Sequence, residues 1–271
     1  MSSNNRKPAR VAIIGPEQVS ATDAYSLLVS GLIKELVLIG TRSRRLIAEL
    51  EELRTVVEFP HETKIWKGTY ADAAEASVAI ITFGDAKPHT VNVNRSYVRG
   101  AAMRLNSAGF KGVLIVAREP VHKMALAALE GSGLPENKVI GLGTGHNHHN
   151  IGHVTWCTAL HSDAAFMDNC NADCPYFEQV LVTPEMQKTS RRTLRSFAPE
   201  KVAACVTQVC DAVISDSRMI IPVFAIAEDG EFHDVPCVIG RTGIRQVVTV
   251  PGKTKTPKAI HTPKTRSNPA A

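Results

Sequence analysis

The feature that most constrains the fold is a short pattern near the start of the chain, within residues 7–28. The apolar run Val11–Ile14 is followed by Gly15 and then by a segment with helical spacing, which predicts a strand, a tight turn and a helix. This order is typical of the first unit of a dinucleotide-binding fold, in which a pyrophosphate sits at the N-terminus of the helix. The turn departs from the usual fingerprint G-x-G-x-x-G, because Glu17 and Ser20 stand where its second and third glycines are expected.

Buried-type strands alternate with helices along the first half of the chain. Such alternation requires a parallel sheet with right-handed crossovers. We therefore predict an α/β fold with a Rossmann-type, doubly wound parallel sheet. After the first strand, further strands are predicted at Leu36–Ile39, Ser77–Thr82, Gly112–Ala117 and Lys138–Gly141, with helices at Arg42–Arg54 and Val121–Glu130.

The second half of the chain has a different pattern of apolar residues, which predicts a smaller α+β domain. Residues 200–214 have the pattern of an amphipathic helix, and residues 220–227 and 234–239 predict antiparallel strands joined by a hairpin. The end of the chain is rich in Pro, Thr and Lys and lacks periodicity, which predicts disorder. The expected organisation is a Rossmann-like dinucleotide-binding domain at 8–145, a reduced α+β catalytic-type domain at 146–252 and a basic tail at 253–271.

Composition and charge narrow the classes of partner. The chain has 271 residues, of which 44% are hydrophobic and 21% are charged, as in ordinary globular proteins. No apolar run approaches the roughly 20 residues of a membrane span, so we expect no membrane insertion. An intracellular, by default cytoplasmic, location is expected, and the basic N-terminus leaves organelle import open. Most of the net charge of +5 comes from the tail, so nucleic acid would contact the protein only through the tail, if at all.

A cluster of His and Cys residues between positions 146 and 174 is a candidate metal site. Three residues separate Cys157 from His161, and three separate Cys170 from Cys174; such pairs can supply thiolate and imidazole ligands to tetrahedral zinc. The alternative is a loop in which these side chains have no role. Because C-x3-C is less diagnostic than C-x2-C, we predict no metal site and keep a zinc-stabilised binding module only as an alternative.

Several segments, in the same order, resemble the lactate/malate dehydrogenase family over most of residues 8–252. The resemblance implies an NAD or NADP cofactor, a His–Asp pair for proton transfer, an Arg that clamps a substrate carboxylate, a loop Arg that polarises the carbonyl, and pairing of subunits through helices. The segments are RVAIIGPEQVSATDAYSLLVSGLIKELVLIG, KGTYADAAEASVAIITFGDAKP, REPVHKMALAALEGSGLPENKVIGLGT, RMIIPVFAIAEDG and VPCVIGRTGIRQVVTV.

The resemblance places the cofactor-binding residues at Gly15, Thr41, Arg42 and Gly84. Gly15 retains the first glycine of the phosphate turn. At the end of the second strand, small residues followed by Arg42 replace the acid that would hold the adenine ribose, and this arrangement suits a 2′-phosphate. The alternative is a solvent-facing basic helix start. Since the phosphate turn is also altered, we expect either NADP or no cofactor.

Two residues that the resemblance implies for catalysis are changed. An ungapped match puts Asn92 at the position of the polarising Arg, and Arg95 or Arg99 could substitute only after a shift of register. The Asn beside the nicotinamide is replaced by Glu119, which follows Arg118.

The rest of the implied catalytic set is also altered. The segment GTGHNHHN matches a family motif in which the His-orienting Asp becomes Asn147 and the carboxylate-clamping Arg becomes Asn150. The segment ALHSDA resembles the motif of the catalytic His and places that residue at His161, with Asp163 nearby. An imidazole that lacks its Asp partner loses the group that fixes its tautomer and stabilises its charged form.

These changes predict a degenerate member of the family. We expect a protein that is not a conventional 2-hydroxy-acid dehydrogenase and that has a binding or scaffolding role in a homo-oligomer or a larger assembly. The first alternative is an NADP-dependent oxidoreductase acting on a substrate without a carboxylate, with His161 as the acid/base. The second alternative is the zinc-stabilised module.

Overall fold

The computed structural model describes residues 9–15, 18–40, 42–56, 62–82, 91–118, 120–142, 199–226 and 230–247. The strands are β1 (Arg10–Ile14), β2 (Glu35–Ile39), β3 (Lys64–Lys67), β4 (Val78–Ile81), β5 (Val113–Val116), β6 (Val139–Gly141), β7 (Met219–Ile226), β8 (Phe232–Gly240) and β9 (Gly243–Val247). The helices are α1 (Gln18–Val29), α2 (Ser43–Val56), α3 (Tyr70–Ala74), α4 (Val91–Ser107), α5 (Val121–Ser132) and α6 (Pro199–Ser215).

The first six strands form a parallel sheet in the order β3-β2-β1-β4-β5-β6. Strands β1, β4 and β5 are apolar on both faces because helices cover both sides of the sheet. The strand order reverses between β1 and β4, as in the doubly wound folds that bind nucleotides. The prediction of an α/β, Rossmann-type sheet is confirmed.

The last three described strands extend the same sheet in antiparallel fashion. Strand β7 pairs with β6 through Gly141 and Phe224, and β8 and β9 follow as successive hairpin partners. Because residues 143–198 and 248–271 lie outside the described part, the domain boundaries and the tail expected from the sequence remain predictions.

The sheet buries a separate apolar cluster on each face. Alternate strand residues point to opposite faces, so that Val11 and Ile13 join one cluster whereas Ala12 and Ile14 join the other. Helices α1, α2 and α6 cover the first face, and α3, α4 and α5 cover the second. None of the helices in the described ranges is long and apolar enough to cross a membrane.

Candidate functional site

The carboxyl ends of β1 and β4 meet at the reversal of strand order, where folds of this class bind ligands. Gly15 has a φ of 78°, a left-handed conformation that favours glycine, and its N–H donates to the carbonyl of Ile39 over 2.8 Å. The hydroxyl of Thr82, which is 1% exposed, lies 3.2 Å from the carbonyl oxygen of Gly15 and donates to it. These bonds join the carboxyl ends of β1, β2 and β4. Gly15 therefore lies where the sequence predicted a phosphate turn.

The carboxyl end of β2 leads into a basic helix start. The buried hydroxyl of Ser43 donates to the carbonyl of Gly40 over 2.7 Å and fixes the turn before α2. Arg42, Arg44 and Arg45 are exposed, and the first turn of α2 contains no acidic residue. Three guanidinium groups beside the positive end of a helix dipole create a positive potential that attracts anions.

The N-terminus of α3, which follows β3, is closed by its own side chains. Asp72 accepts hydrogen bonds from the N–H of Thr69 over 2.7 Å and from its hydroxyl over 2.8 Å. The backbone bond from Thr69 is the main reason why the pKa of Asp72 lies below its ordinary value, and the hydroxyl bond adds to this effect. This helix end is therefore satisfied by its own capping box and carries an acidic residue in its first turn, whereas the first turn of α2 carries none.

A buried cation follows β5. Arg118 is only 6% exposed, and the preceding Ala117 donates its N–H to the carbonyl of Ile81 at the end of β4. The side chain thus begins next to Thr82 on the ligand edge of the sheet. Sequence reasoning noted Arg118 only as the neighbour of Glu119 and did not single out Thr82 or Ser43. The signal that could have identified them is a polar residue at the carboxyl end of an apolar strand or directly after it.

The first turns of α4 contain the residues that were matched to the polarising Arg of the family. Asn92 is exposed, and its carbonyl accepts a hydrogen bond from the hydroxyl of Ser96. The guanidinium of Arg95 lies 3.1 Å from the carboxylate of Glu130 on α5, in an ion pair whose side chains are 47% and 36% exposed. Arg99 is also exposed. Helix α4 begins at Val91, so Asn92 lies in its first turn.

All of the predicted catalytic residues and candidate metal ligands lie outside the described part of the chain. Their roles remain predictions. Among the described residues, no group of three or more His, Cys, Asp or Glu side chains could hold a metal ion. The predicted site residues, and the residues matched to family positions, that lie outside the described ranges are Glu17, Thr41, Gly84, Glu119, Asn147, Asn150, Cys157, His161, Asp163, Cys170 and Cys174.

Comparison with protein families agrees with this geometry. Residues 9–141 match the family described as lactate/malate dehydrogenase, NAD binding domain. The match spans β1 to β6 and therefore the whole parallel part of the sheet. This description suggests a nicotinamide cofactor, NAD, for this class of domain, and it gives no specific support to NADP, which the sequence favoured.

Curated relatives and solved structures extend the likeness beyond that domain. L-lactate dehydrogenase 1 of Bifidobacterium longum is 28% identical over 88% of this chain and 89% of the relative, and L-lactate dehydrogenase 3 of Bacillus cereus is 25% identical over 90% of each. The structure of a lactate dehydrogenase enzyme from a Medee basin deep-sea metagenome library has a TM-score of 0.73 and 20% identity, and the likeness covers 90% of this chain and 91% of that one. Together these findings support the placement of the chain in the lactate/malate dehydrogenase family.

Proposed function

We propose that this chain keeps the lactate/malate dehydrogenase fold for a binding or scaffolding role and does not act as a conventional 2-hydroxy-acid dehydrogenase. The start of α4 is the observation that carries the proposal. The residue matched to the polarising Arg is Asn92, and the nearby Arg95 is paired with Glu130 on α5. A neutral amide cannot supply the charge that an Arg brings to a developing alkoxide.

The loss of the carboxylate clamp points in the same direction. The clamp position is matched to Asn150, and an amide cannot form the bidentate, charge-assisted pair that a guanidinium forms with a carboxylate. Removing one partner of such a buried pair costs on the order of 2–5 kcal/mol. Loss of this energy together with the polarising charge would leave binding of a small 2-hydroxy acid weak.

The phosphate turn fits a dinucleotide only in part. Gly15 and the following helix start have the expected conformation. The sequence of the turn supplies Glu17 where the backbone should approach the pyrophosphate, and a carboxylate beside a diphosphate is repulsive. The turn after Gly15 therefore suits a pyrophosphate poorly, because its sequence places a carboxylate where backbone N–H donors are expected. We derive no hydride-transfer step for this chain.

Cofactor titration with an activity assay tests the proposal. Purified protein is titrated with NADH and NADPH while fluorescence and melting temperature are followed, and reduction of 2-oxo acids is assayed with both cofactors. We expect no binding at millimolar cofactor and no turnover above background. The curated relatives are named lactate dehydrogenases, so turnover of lactate or pyruvate, or micromolar binding, would contradict the proposal.

The alternative of an NADP-dependent oxidoreductase is favoured by one specific observation, the exposed arginines at the start of α2. Arg42, Arg44 and Arg45 follow β2 where an acidic residue would otherwise contact the adenine ribose, and guanidinium groups suit a 2′-phosphate. If this alternative is correct, NADPH binds more tightly than NADH. Its substrate would lack a carboxylate, with His161 as the acid/base.

A variant that removes one positive charge distinguishes a specific 2′-phosphate site from a general attraction of the anionic cofactor to exposed cations. In the variant Arg42→Ala, the preference for NADPH over NADH is expected to fall by about tenfold, because one charge-assisted contact to phosphate is lost. The matched control is Arg241→Ala, which removes an exposed cation near the opposite edge of the sheet. Equal effects of the two variants would contradict a specific 2′-phosphate site.

The scaffolding proposal also includes self-association or entry into a larger assembly at an intracellular location. Among the described residues, large exposed hydrophobic side chains include Val93, Tyr97 and Met103, all on α4. Exposed apolar side chains grouped on one helix support a contact surface. Light scattering after gel filtration measures the oligomeric state.

Metal analysis after chelator treatment tests the zinc alternative.

A further inference from the structure

Helices α1 and α6 form an interface that contains polar groups. The hydroxyls of Ser26 and Thr207 are 2.7 Å apart and share a hydrogen bond between residues that are 181 positions apart in the chain. Asp23, one turn earlier on α1, acts electrostatically on Cys210, one turn later on α6. The two pairings run in opposite directions along the helices, so α1 and α6 pack antiparallel. Both Asp23 and Cys210 are completely buried.

The carboxyl group of Asp23 has no hydrogen-bond partner on either oxygen, and both atoms are inaccessible to solvent. Burial without a partner penalises a charged carboxylate much more than a neutral carboxylic acid. The pKa of Asp23 is therefore raised from its ordinary value of 3.8 to about 7 by desolvation. The neutral form is the one that suits this interface.

The groups packed around Asp23 do not favour its charged form. From α6, the thiol of Cys210 faces it, and burial and then the charge of Asp23 raise the pKa of that thiol, so that it stays neutral. Asp211, the next residue on α6, adds a negative charge beside Cys210 and raises the pKa of the thiol further. The strand β1 and helix α2 contribute apolar residues to the same cluster, and Tyr25 is the nearest titratable residue along α1.

We propose that protonation of Asp23 is a switch that controls how firmly α6 docks on α1. With a neutral Asp23 the two helices pack as described. When Asp23 loses its proton, the charge favours a state in which α6 separates far enough for water to reach the carboxylate. The inference does not depend on the proposed function, because it concerns the packing of one face of the fold.

The direction of the pH effect follows from the raised pKa. In the folded protein Asp23 keeps its proton up to about pH 7. In the unfolded chain, or when α6 is separated, the exposed carboxyl loses that proton at a much lower pH. Docking is therefore strongest at acid pH and weakens as the pH rises from about 4 to about 7, above which it levels off.

The switch is placed where it can affect the ligand edge. Helix α1 begins three residues after Gly15, and Asp23 lies in the N-terminal half of this helix. Helix α6 ends at Ser215 and leads into β7, which pairs with β6. Loosening of α6 would thus remove the packing behind the helix that follows the phosphate-type turn.

Hydrogen exchange read by mass spectrometry tests the proposal on the full chain. Amide exchange, corrected for its intrinsic pH dependence, is compared at about pH 5.5 and about pH 8.5, and the opening constant of α6 is expected to rise about 30-fold at the higher pH. Peptides from α4 and α5 serve as an internal reference, because they cover the opposite face of the sheet. In Asp23→Asn the rise should disappear, since the amide does not titrate.

The matched control is Asp211→Asn, which removes one negative charge from the neighbouring position of α6. Its side chain accepts a hydrogen bond from Ser215, which the amide oxygen can retain. We expect this variant to keep the pH-dependent exchange of the wild type. A wild-type α6 that exchanges equally at both pH values, or an equal pH dependence in Asp23→Asn and wild type, would overturn the proposal. If Asp23→Asn does not fold, the wild-type comparison of α6 with α4 and α5 decides alone.

Discussion

The two faces of the sheet are covered by helix pairs of different character. On one face, α4 and α5 follow each other along the chain and approach closely through small residues: a Cβ added at Gly131 would lie 2.6 Å from the carbonyl oxygen of Arg99 and 3.1 Å from the Cβ of Ala102. On the other face, α1 and α6 come from opposite ends of the chain and include Ser26, Thr207 and the buried Asp23. The first interface is therefore closely packed at Gly131, where it leaves no space for a side chain.

The comparison shows how one sheet can support a rigid and an adjustable face. Close backbone approach fixes helices, because a packed interface without space resists displacement. A buried carboxyl without a hydrogen-bond partner makes a helix interface adjustable, because the interface is stable only while the carboxyl keeps its proton. If this distinction is correct, substitutions on the α4–α5 face change stability equally at all pH values, whereas the α1–α6 face responds to pH.

The largest effect is expected from Gly131→Val on the α4–α5 face. Its side chain would press against the backbone of α4, which cannot move without separating the helices, so we expect a loss of about 3 kcal/mol or more in the free energy of unfolding. Urea unfolding at acid and alkaline pH measures this loss, which should be the same at both.

The control for this prediction is Gly100→Val on α4. A Cβ added at Gly100 meets no atom within 4 Å, so the stability should stay within about 0.5 kcal/mol of the wild type. Equal losses at the two glycines would show that close packing of α4 on α5 is not what makes this face rigid.

An intermediate effect is expected for the hydroxyl pair between α1 and α6. A double-mutant cycle with Ser26→Ala and Thr207→Val should give a coupling energy of about 1 kcal/mol, the usual net value of one partly buried hydrogen bond. Because α6 docks less firmly when Asp23 is charged, the coupling should be smaller at alkaline than at acid pH. A coupling that is constant with pH would mean that the two faces do not differ as described.

The two faces also differ in how much the sequence could predict. The parallel strands were predictable because runs such as Ser77–Thr82 and Gly112–Ala117 are apolar on both faces, and the structure has β4 and β5 within them. The helix expected at 200–214 is found at Pro199–Ser215 for a similar reason, its amphipathic spacing. These features depend on local pattern alone.

Pairing between distant elements was not predictable in the same way. Nothing local in α1 marks Asp23 as buried, because its burial depends on α6, which arrives about 180 residues later in the chain, as the Ser26–Thr207 separation shows. The hairpin signals likewise predicted β7 and β8 but not their attachment to β6. In the candidate site, Gly15 could be identified from the sequence of its turn. The position of Arg118 near Thr82 could not be predicted, because it depends on the pairing of β4 with β5.

The smallest effect is expected at the exposed ion pair between α4 and α5. The side chains of Arg95 and Glu130 are 47% and 36% exposed, so Arg95→Ala should lower the free energy of unfolding by no more than about 0.5 kcal/mol. Urea unfolding measures the change, and added salt should reduce it because salt screens exposed charges. Glu130→Gln is the matched control, because it breaks the same pair and leaves Arg95 in place. If cofactor-dependent activity were found and Arg95→Ala removed it while Glu130→Gln did not, Arg95 would be a ligand-binding residue, and the proposal that the start of α4 has no catalytic role would fail.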